Sequence, residues 1–148
     1  MSTYRQIFYH IVFGTKNRRP TIAPSAETAL HKYIWGIIKN LNCKLYRING
    51  MEDHIHIFSD LHPSISLSDY VKTIKVSSSI WMKHHGSFPD FSGWQNGYGA
   101  FTYSIREKDM IINYIKRQKE HHQKESSYDE YKRLLQEYGI EFDEQYLL

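Results

Sequence analysis

The chain has 148 residues, 41% of them apolar and 15% aromatic, which suits a single domain over residues 1–148 with a substantial core. A formal charge of +3 is a mild bias toward anionic partners, and the one cysteine, Cys43, excludes an internal disulfide and a cysteine-built zinc site, so any metal must sit on His, Asp, Glu, Gln or Asn. There is no apolar run of about eighteen residues and no secretion pattern in MSTYRQIFYH, so a soluble, cytoplasmic protein is expected.

In chain order, YRQIFYHIVFG (4–14) mixes β-branched and aromatic residues on both faces and reads as a central strand. After the loop TKNRRPTIAP, Ser25 is placed to cap a helix whose apolar positions Ala29, Leu30, Tyr33, Ile34, Ile37, Ile38 and Leu41 recur at helical spacing. CKLYRI and HIHIFSDL read as two strands joined by the turn-rich NGMED, a β-hairpin. Ser66 starts a second helix with a buried stripe of Leu67, Tyr70, Val71, Ile74 and Trp81, leaving Lys72, Lys75, Ser79 and Lys83 outward. The Gly- and aromatic-rich GSFPDFSGWQNGYGAFTYS is a loop entering a strand near Tyr98 to Tyr103. REKDMIINYIKRQKEHH then predicts a helix to about His122, and SSYDEYKRLLQEYG an amphipathic helix through Tyr131, Leu134, Leu135 and Tyr138, stopped at Gly139. The order β-α-β-β-α-β predicts an α+β, ferredoxin-like (RRM-like) antiparallel sheet with helices on one face, followed by a helical part from about residue 106 to 148.

Chemistry concentrates in DHIHIF. Strand alternation puts His54, His56 and Phe58 on one face and Ile55 and Ile57 on the other, so two imidazoles aim at one point. Taken alone, such a pair equally suits a half-buried strand. The second half of a site lies in INYIKRQ, where Tyr114 and Gln118 stand four apart on a predicted helix, one above the other. With Ile111 and Ile115 they could form a core stripe, but a buried glutamine amide without partners costs about 1–3 kcal/mol, so Gln118 needs something to bind. Asp53 reads as a turn former, because alternation aims it away from His54, and His121 and His122 as favourable charges at a helix C-terminus. Basic residues cluster in TKNRR (Lys16, Arg18, Arg19), VKTIK (Lys72, Lys75) and IKRQK (Lys116, Arg117, Lys119), each of which alone is an ordinary solvated face. Trp94, Tyr98 and Phe101 beside glycines are candidates for stacking on exposed bases, with Trp94 equally readable as a packed loop anchor.

HIH and YIKRQ, with NGMEDHIHIF, VKTIKVSSSIW and GWQNGYGAFTYS in the same order, resemble the HUH transposases with a single catalytic tyrosine, encoded by insertion sequences that move as single-stranded DNA. The family often has Gly or Ala after the first lysine of the second-helix motif, where this chain reads KTIKVSSS. The resemblance implies Mg²⁺ or Mn²⁺ on His54, His56 and Gln118, Tyr114 as nucleophile, a 5′-phosphotyrosine intermediate and a free 3′-OH. It also implies recognition of subterminal hairpins in single-stranded DNA by a homodimer whose sites draw on both subunits; for such a strand the chain's own candidates are Lys16, Arg18, Arg19, Lys72 and Lys75 on phosphates and Trp94 and Tyr98 on bases. The rivals are an RRM-like binding module without catalysis, for which the aromatic RNP pattern is missing, a histidine-triad hydrolase, for which Phe58 takes the place of a third histidine, and a domesticated repeat-associated relative.

Overall fold

A computed structural model describes residues 2–147. Four strands, β1 (Phe8–Gly14), β2 (Leu45–Met51), β3 (His54–Ser59) and β4 (Gly99–Tyr103), form one sheet in the order β2-β3-β1-β4, antiparallel throughout. Helix α1 (Glu27–Asn40) links β1 to β2 and α2 (Leu67–His85) links β3 to β4, which is the predicted ferredoxin-like order. Helices α3 (Lys108–Lys116), α4 (Gln118–His121) and α5 (Ser127–Glu137) follow.

The pleat separates two cores. Ile11, Phe13, Ile55 and Ile57 face α1 and α2, where Leu30, Ile34, Ile38, Tyr70, Val71, Ile74 and Met82 close over them. Phe8, Val12, Phe58, Phe101 and Tyr103 face the other way, against Ile111 and Ile115 of α3 and Leu134 and Leu135 of α5. The α1–α2 face is almost wholly apolar. The opposite face carries His10, His54 and His56 among its aromatics, all buried.

Local differences from the sequence reading have local causes. The first strand starts at Phe8, four residues later than expected, because β3 and β4 offer partners only from there on. Ser25 makes no cap; α1 starts after Ala26 without a side-chain bond. Ser66 and Ser126 do cap α2 and α5, each accepting from the N–H three residues on. The NGMED turn shrinks to Glu52–Asp53, since Asn49, Gly50 and Met51 continue the ladder opposite His56, Ile55 and His54. Gly50 permits this: a Cβ there would lie 2.1 Å from the His54 carbonyl oxygen. The helix expected to run to His122 breaks at Arg117 (φ −97, ψ 23). The Asn49 side-chain amide captures the Ile115 and Lys116 carbonyls at 3.0 and 3.1 Å, ending α3, and α4 restarts at Gln118. Gly139 takes a left-handed φ of 63 just past α5, as its stop signal predicts. Among the described residues, no helix is long and apolar enough to cross a membrane.

Gly50→Ala should therefore force the hairpin apart and cost about 1–3 kcal/mol or more, read as a lower urea midpoint at unchanged slope. An unshifted midpoint would show that the backbone yields freely there.

Candidate functional site

The site lies on the mixed face, between β3 and the C-terminal helices. His54 and His56 are 2% and 0% exposed and point the same way, as alternation requires. Their outer nitrogens are held differently. His54 Nδ1 donates to Asp53 Oδ1 at 2.8 Å, while Asp53 Oδ2 accepts from the Ser127 hydroxyl at 2.7 Å. His56 Nδ1 is 2.8 Å from Nε2 of His10 on β1. Asp53 thus does more than form the turn: it lies in the Glu52–Asp53 turn, outside the strand whose alternation aimed it away, and reaches the neighbouring ring.

Both Nε2 atoms converge on one carboxylate. Glu130 of α5, 1% exposed, has Oε1 at 3.2 Å from His54, 2.9 Å from His56 and 3.0 Å from His122. Its Oε2 accepts from the Gln118 amide at 2.8 Å and from the Tyr114 hydroxyl. Gln118, fully buried, turns its carbonyl oxygen toward His54 (3.0 Å) and His122 (3.1 Å), so the amide has the partners that its burial demands. His122 is therefore part of the site and not merely a charge at a helix end, and His121 packs its ring 4.5 Å from that of Tyr114. Tyr114 Oη also accepts from Arg133 Nη2 at 2.8 Å, and Arg133 is itself steadied by Glu125 and Glu137.

Electrostatics follow from this geometry. Burial works against charge on His54, but Asp53 and Glu130 outweigh it and lift its pKa to about 9. Burial lowers His56 and holds His10 well below the usual imidazole value. The Asp53 carboxyl, despite burial, is drawn below its ordinary range by His54 and Ser127, and Glu130 is drawn far lower by the imidazoles. Burial, then the Glu130 carboxylate, push the Tyr114 phenol up, with Arg133 opposing.

The sequence-predicted quartet of His54, His56, Tyr114 and Gln118 thus meets in one chain. His54 Nε2, His122 Nε2 and a Glu130 oxygen lie within 4.8 Å of one another, with His56 Nε2 and Gln118 Oε1 alongside. Imidazole nitrogens, an amide oxygen and one carboxylate without thiolate fit a divalent cation. The predicted DNA contacts scatter more widely. Lys16, Arg19 and Lys72 are exposed. Arg18 is spent on the Leu147 carbonyl and Ser127, and Lys75 on the Gln95 and Gly97 carbonyls that shape the loop before β4. Trp94 is the packed anchor: its indole donates to Ser78 at 3.0 Å and abuts Phe13 and Phe91, while Tyr98 packs on the same core and Phe101 lies within the opposite one. Of the three only Phe101 is buried; Trp94 and Tyr98 are half-buried. An open cleft lined by Arg117, His121, Lys124 and Arg133 reaches Tyr114 from outside. On the other side of His54, Gly14, Arg18, Gln95, Tyr98 and Tyr131 line a pocket of about 150 Å³.

His10, Glu130 and Arg133 have no part in the sequence reading, which gives His122 only a helix-end role. Glu130 had a signal, since Ser127, Glu130 and Leu134 recur on one helical face and put a charge on the buried stripe. His10 had one too, alternating with Phe8 and Val12 on a central strand.

Comparison with known proteins agrees with this layout. The family model described as "Transposase IS200 like" matches residues 3–118. The transposases for insertion sequence element IS200 of Salmonella typhimurium and Salmonella typhi are each 27% identical over 119 residues, covering 76% of this chain and 76% of theirs. A solved candidate transposase from Deinococcus radiodurans R1 superposes with a TM-score of 0.62 at 23% identity, covering 80% of this chain and 95% of that one. A REP-associated tyrosine transposase bound to a REP hairpin gives 0.60 at 16% identity, covering 82% and 74%.

The raised His54 pKa makes a prediction for the metal-free protein. Folding favours the imidazolium, so its stabilisation is full below the unfolded value of 6.5 and fades as pH rises through about 9. In chelator, the melting temperature should fall from pH 6.5 to 9, and His54→Gln should flatten that slope. An equal slope in the two proteins would contradict the assignment.

Proposed function

The chain belongs to the family of IS200-like transposases, and on that premise we propose that it cleaves and rejoins single-stranded DNA at the ends of an insertion sequence, with Tyr114 as nucleophile and His54, His56 and Gln118 holding Mg²⁺ or Mn²⁺. The observation that carries this reading is the convergence of the Tyr114 hydroxyl, Gln118 and the imidazoles on one buried carboxylate. A bound divalent cation supplies Lewis acidity to the scissile phosphate.

The protein's own groups account for the rest. Tyr114 Oη attacks phosphorus, a P–Oη bond forms and the P–O3′ bond breaks, leaving a 5′-phosphotyrosine and a free 3′-OH. The phenol keeps its proton and donates it to Glu130 Oε2, the carboxylate placed to take that proton as Oη attacks, and the Arg133 guanidinium donates to Oη itself, so charge on Oη has a partner both when it attacks and when it departs. Rejoining is the reverse: a 3′-OH attacks, the P–Oη bond breaks and the phenol regains its proton. The bond energy stays in the phosphotyrosine, and water takes no part. His122 and Glu130 flank the three ligands as additional donors to the same ion.

Excision needs two cleavages and each chain offers one such tyrosine, so the active species is a homodimer. Tyr114 stands against its own chain's histidines here; sharing sites between subunits requires α3 to leave them. A structurally similar transposase is bound to a REP hairpin, and hairpin recognition extends to this chain through the exposed Lys16, Arg19 and Lys72.

With Mg²⁺ or Mn²⁺ and single-stranded DNA carrying the palindromes that flank its gene, the protein should form an SDS-resistant adduct, and Tyr114→Phe should lose it while still binding the hairpin. His54→Ala, His56→Ala and Gln118→Ala should each slow cleavage at least about tenfold with hairpin affinity nearly unchanged, thermal melts confirming that each variant is folded. An adduct persisting in Tyr114→Phe would overturn the nucleophile, and tight RNA binding without cleavage would favour a pure binding module.

A further inference from the structure

His10 has no part in the chemistry described so far, yet it is a fully buried imidazole in direct contact with a proposed ligand. Strand β1 pairs beside β3 so that the His10 and His56 rings stack, 5.1 Å between centroids and 25° between planes. His10 Nε2 lies 2.8 Å from His56 Nδ1, and His10 Nδ1 lies 3.2 Å from the Tyr103 hydroxyl on β4. Phe101 packs against the remaining edge. Two ring nitrogens at 2.8 Å must share one proton, one donating and one accepting, because neither two N–H groups nor two lone pairs can face each other at that distance.

The direction of that bond is dictated at the far side of His56. In this structure His56 Nε2 faces a Glu130 oxygen at 2.9 Å, and a carboxylate only accepts, so Nε2 carries the proton. Nδ1 of a neutral His56 then offers its lone pair to His10 Nε2–H, and His10 Nδ1 accepts from the Tyr103 hydroxyl. A cation on His56 Nε2 demands the opposite arrangement: the lone pair is needed at Nε2, the proton moves to Nδ1, and each donor along the row becomes an acceptor.

We propose that His10, backed by Tyr103, is a positioning residue that reverses with His56, so that His56 can pass between the Glu130-bonded and the cation-bound state without leaving a charge or an unpaired N–H in the core. The balance closes. One proton passes from His10 Nε2 to His56 Nδ1 and one from Tyr103 to His10 Nδ1; the His56 Nε2 proton leaves for solvent and Tyr103 regains one, so the net charge of the three side chains is unchanged. His54 differs, because its partner Asp53 only accepts and keeps the His54 proton on Nδ1 in both states. His54 has only its Nε2 proton to give up before it can bind a cation and needs no change at Nδ1, whereas His56 must exchange protons with its neighbour. The inference rests on the reading of His56 as a ligand.

The test is Mn²⁺ affinity by calorimetry on the full chain without DNA. His10→Phe removes the acceptor for the Nδ1 proton and should weaken binding about 10–100-fold. His10→Gln, which places an amide oxygen near the former Nε2, should recover most of that loss. A wild type that binds no Mn²⁺ would overturn the ligand reading and this inference together. Wild-type affinity in a folded His10→Phe would overturn this inference alone. Nitrogen-15 imidazole spectra of the wild type decide the matter independently of any variant: the His56 proton should sit on Nε2 in chelator and on Nδ1 with Zn²⁺, and a proton that stays on one nitrogen throughout would also overturn it.

Discussion

The Glu130 carboxylate is the point on which this structure turns. A lone carboxylate in a protein interior would cost several kcal/mol in lost hydration, far more than a small domain can spare. Here it is repaid by three imidazoles, the Gln118 amide and the Tyr114 hydroxyl, nearly all of them buried or half-buried themselves. The cost and its recovery are shared across β3, α3, α4 and α5, so this one group ties the C-terminal helices to the sheet by polar contacts where apolar packing is interrupted. Removing any single partner would leave the others with unmet hydrogen bonds.

That arrangement is possible because the two faces of the sheet have different tasks. Ile11, Phe13, Ile55 and Ile57 anchor against α1 and α2 in an apolar core that fixes strand register. Register in turn fixes the histidines, since a shift by one residue would send His54 and His56 into that core and Ile55 and Ile57 out of it. The Asn49 amide then ends α3 at the turn where Gln118 must change direction to reach the imidazoles. A continuous helix through Arg117 would keep the spacing of Tyr114 and Gln118 but not this approach.

Much of this was legible in the sequence. Alternation alone placed His54 and His56 on one face, the cost of a buried amide singled out Gln118, and the order of strands and helices gave the sheet topology. What escaped depends on contacts between residues far apart in the chain. The α3 break comes from Asn49, more than sixty residues earlier, and no helix signal near Arg117 encodes it. Glu130 and His122 look like ordinary helix-surface residues until α5 packs on the mixed face of the sheet. Asp53 was misjudged because alternation was extended one residue beyond the strand. Lys75 and Arg18 read as charges for DNA because sequence reveals their charge but not the carbonyls that engage them, while Trp94 takes the packed-anchor alternative that the sequence already offered.

The proposed nucleophile, Tyr114, and the proposed metal donors brought together in a single chain, on a fold shared with solved transposases, form the core of the functional account. The most direct test is anomalous diffraction at the manganese edge from crystals of the protein grown with Mn²⁺. The account predicts one dominant peak at bonding distance from His54 Nε2 and His56 Nε2, with the Gln118 side chain beside it and the Tyr114 hydroxyl within reach of a phosphate on the same ion. A peak elsewhere, or manganese bound only by water and surface carboxylates, would contradict it.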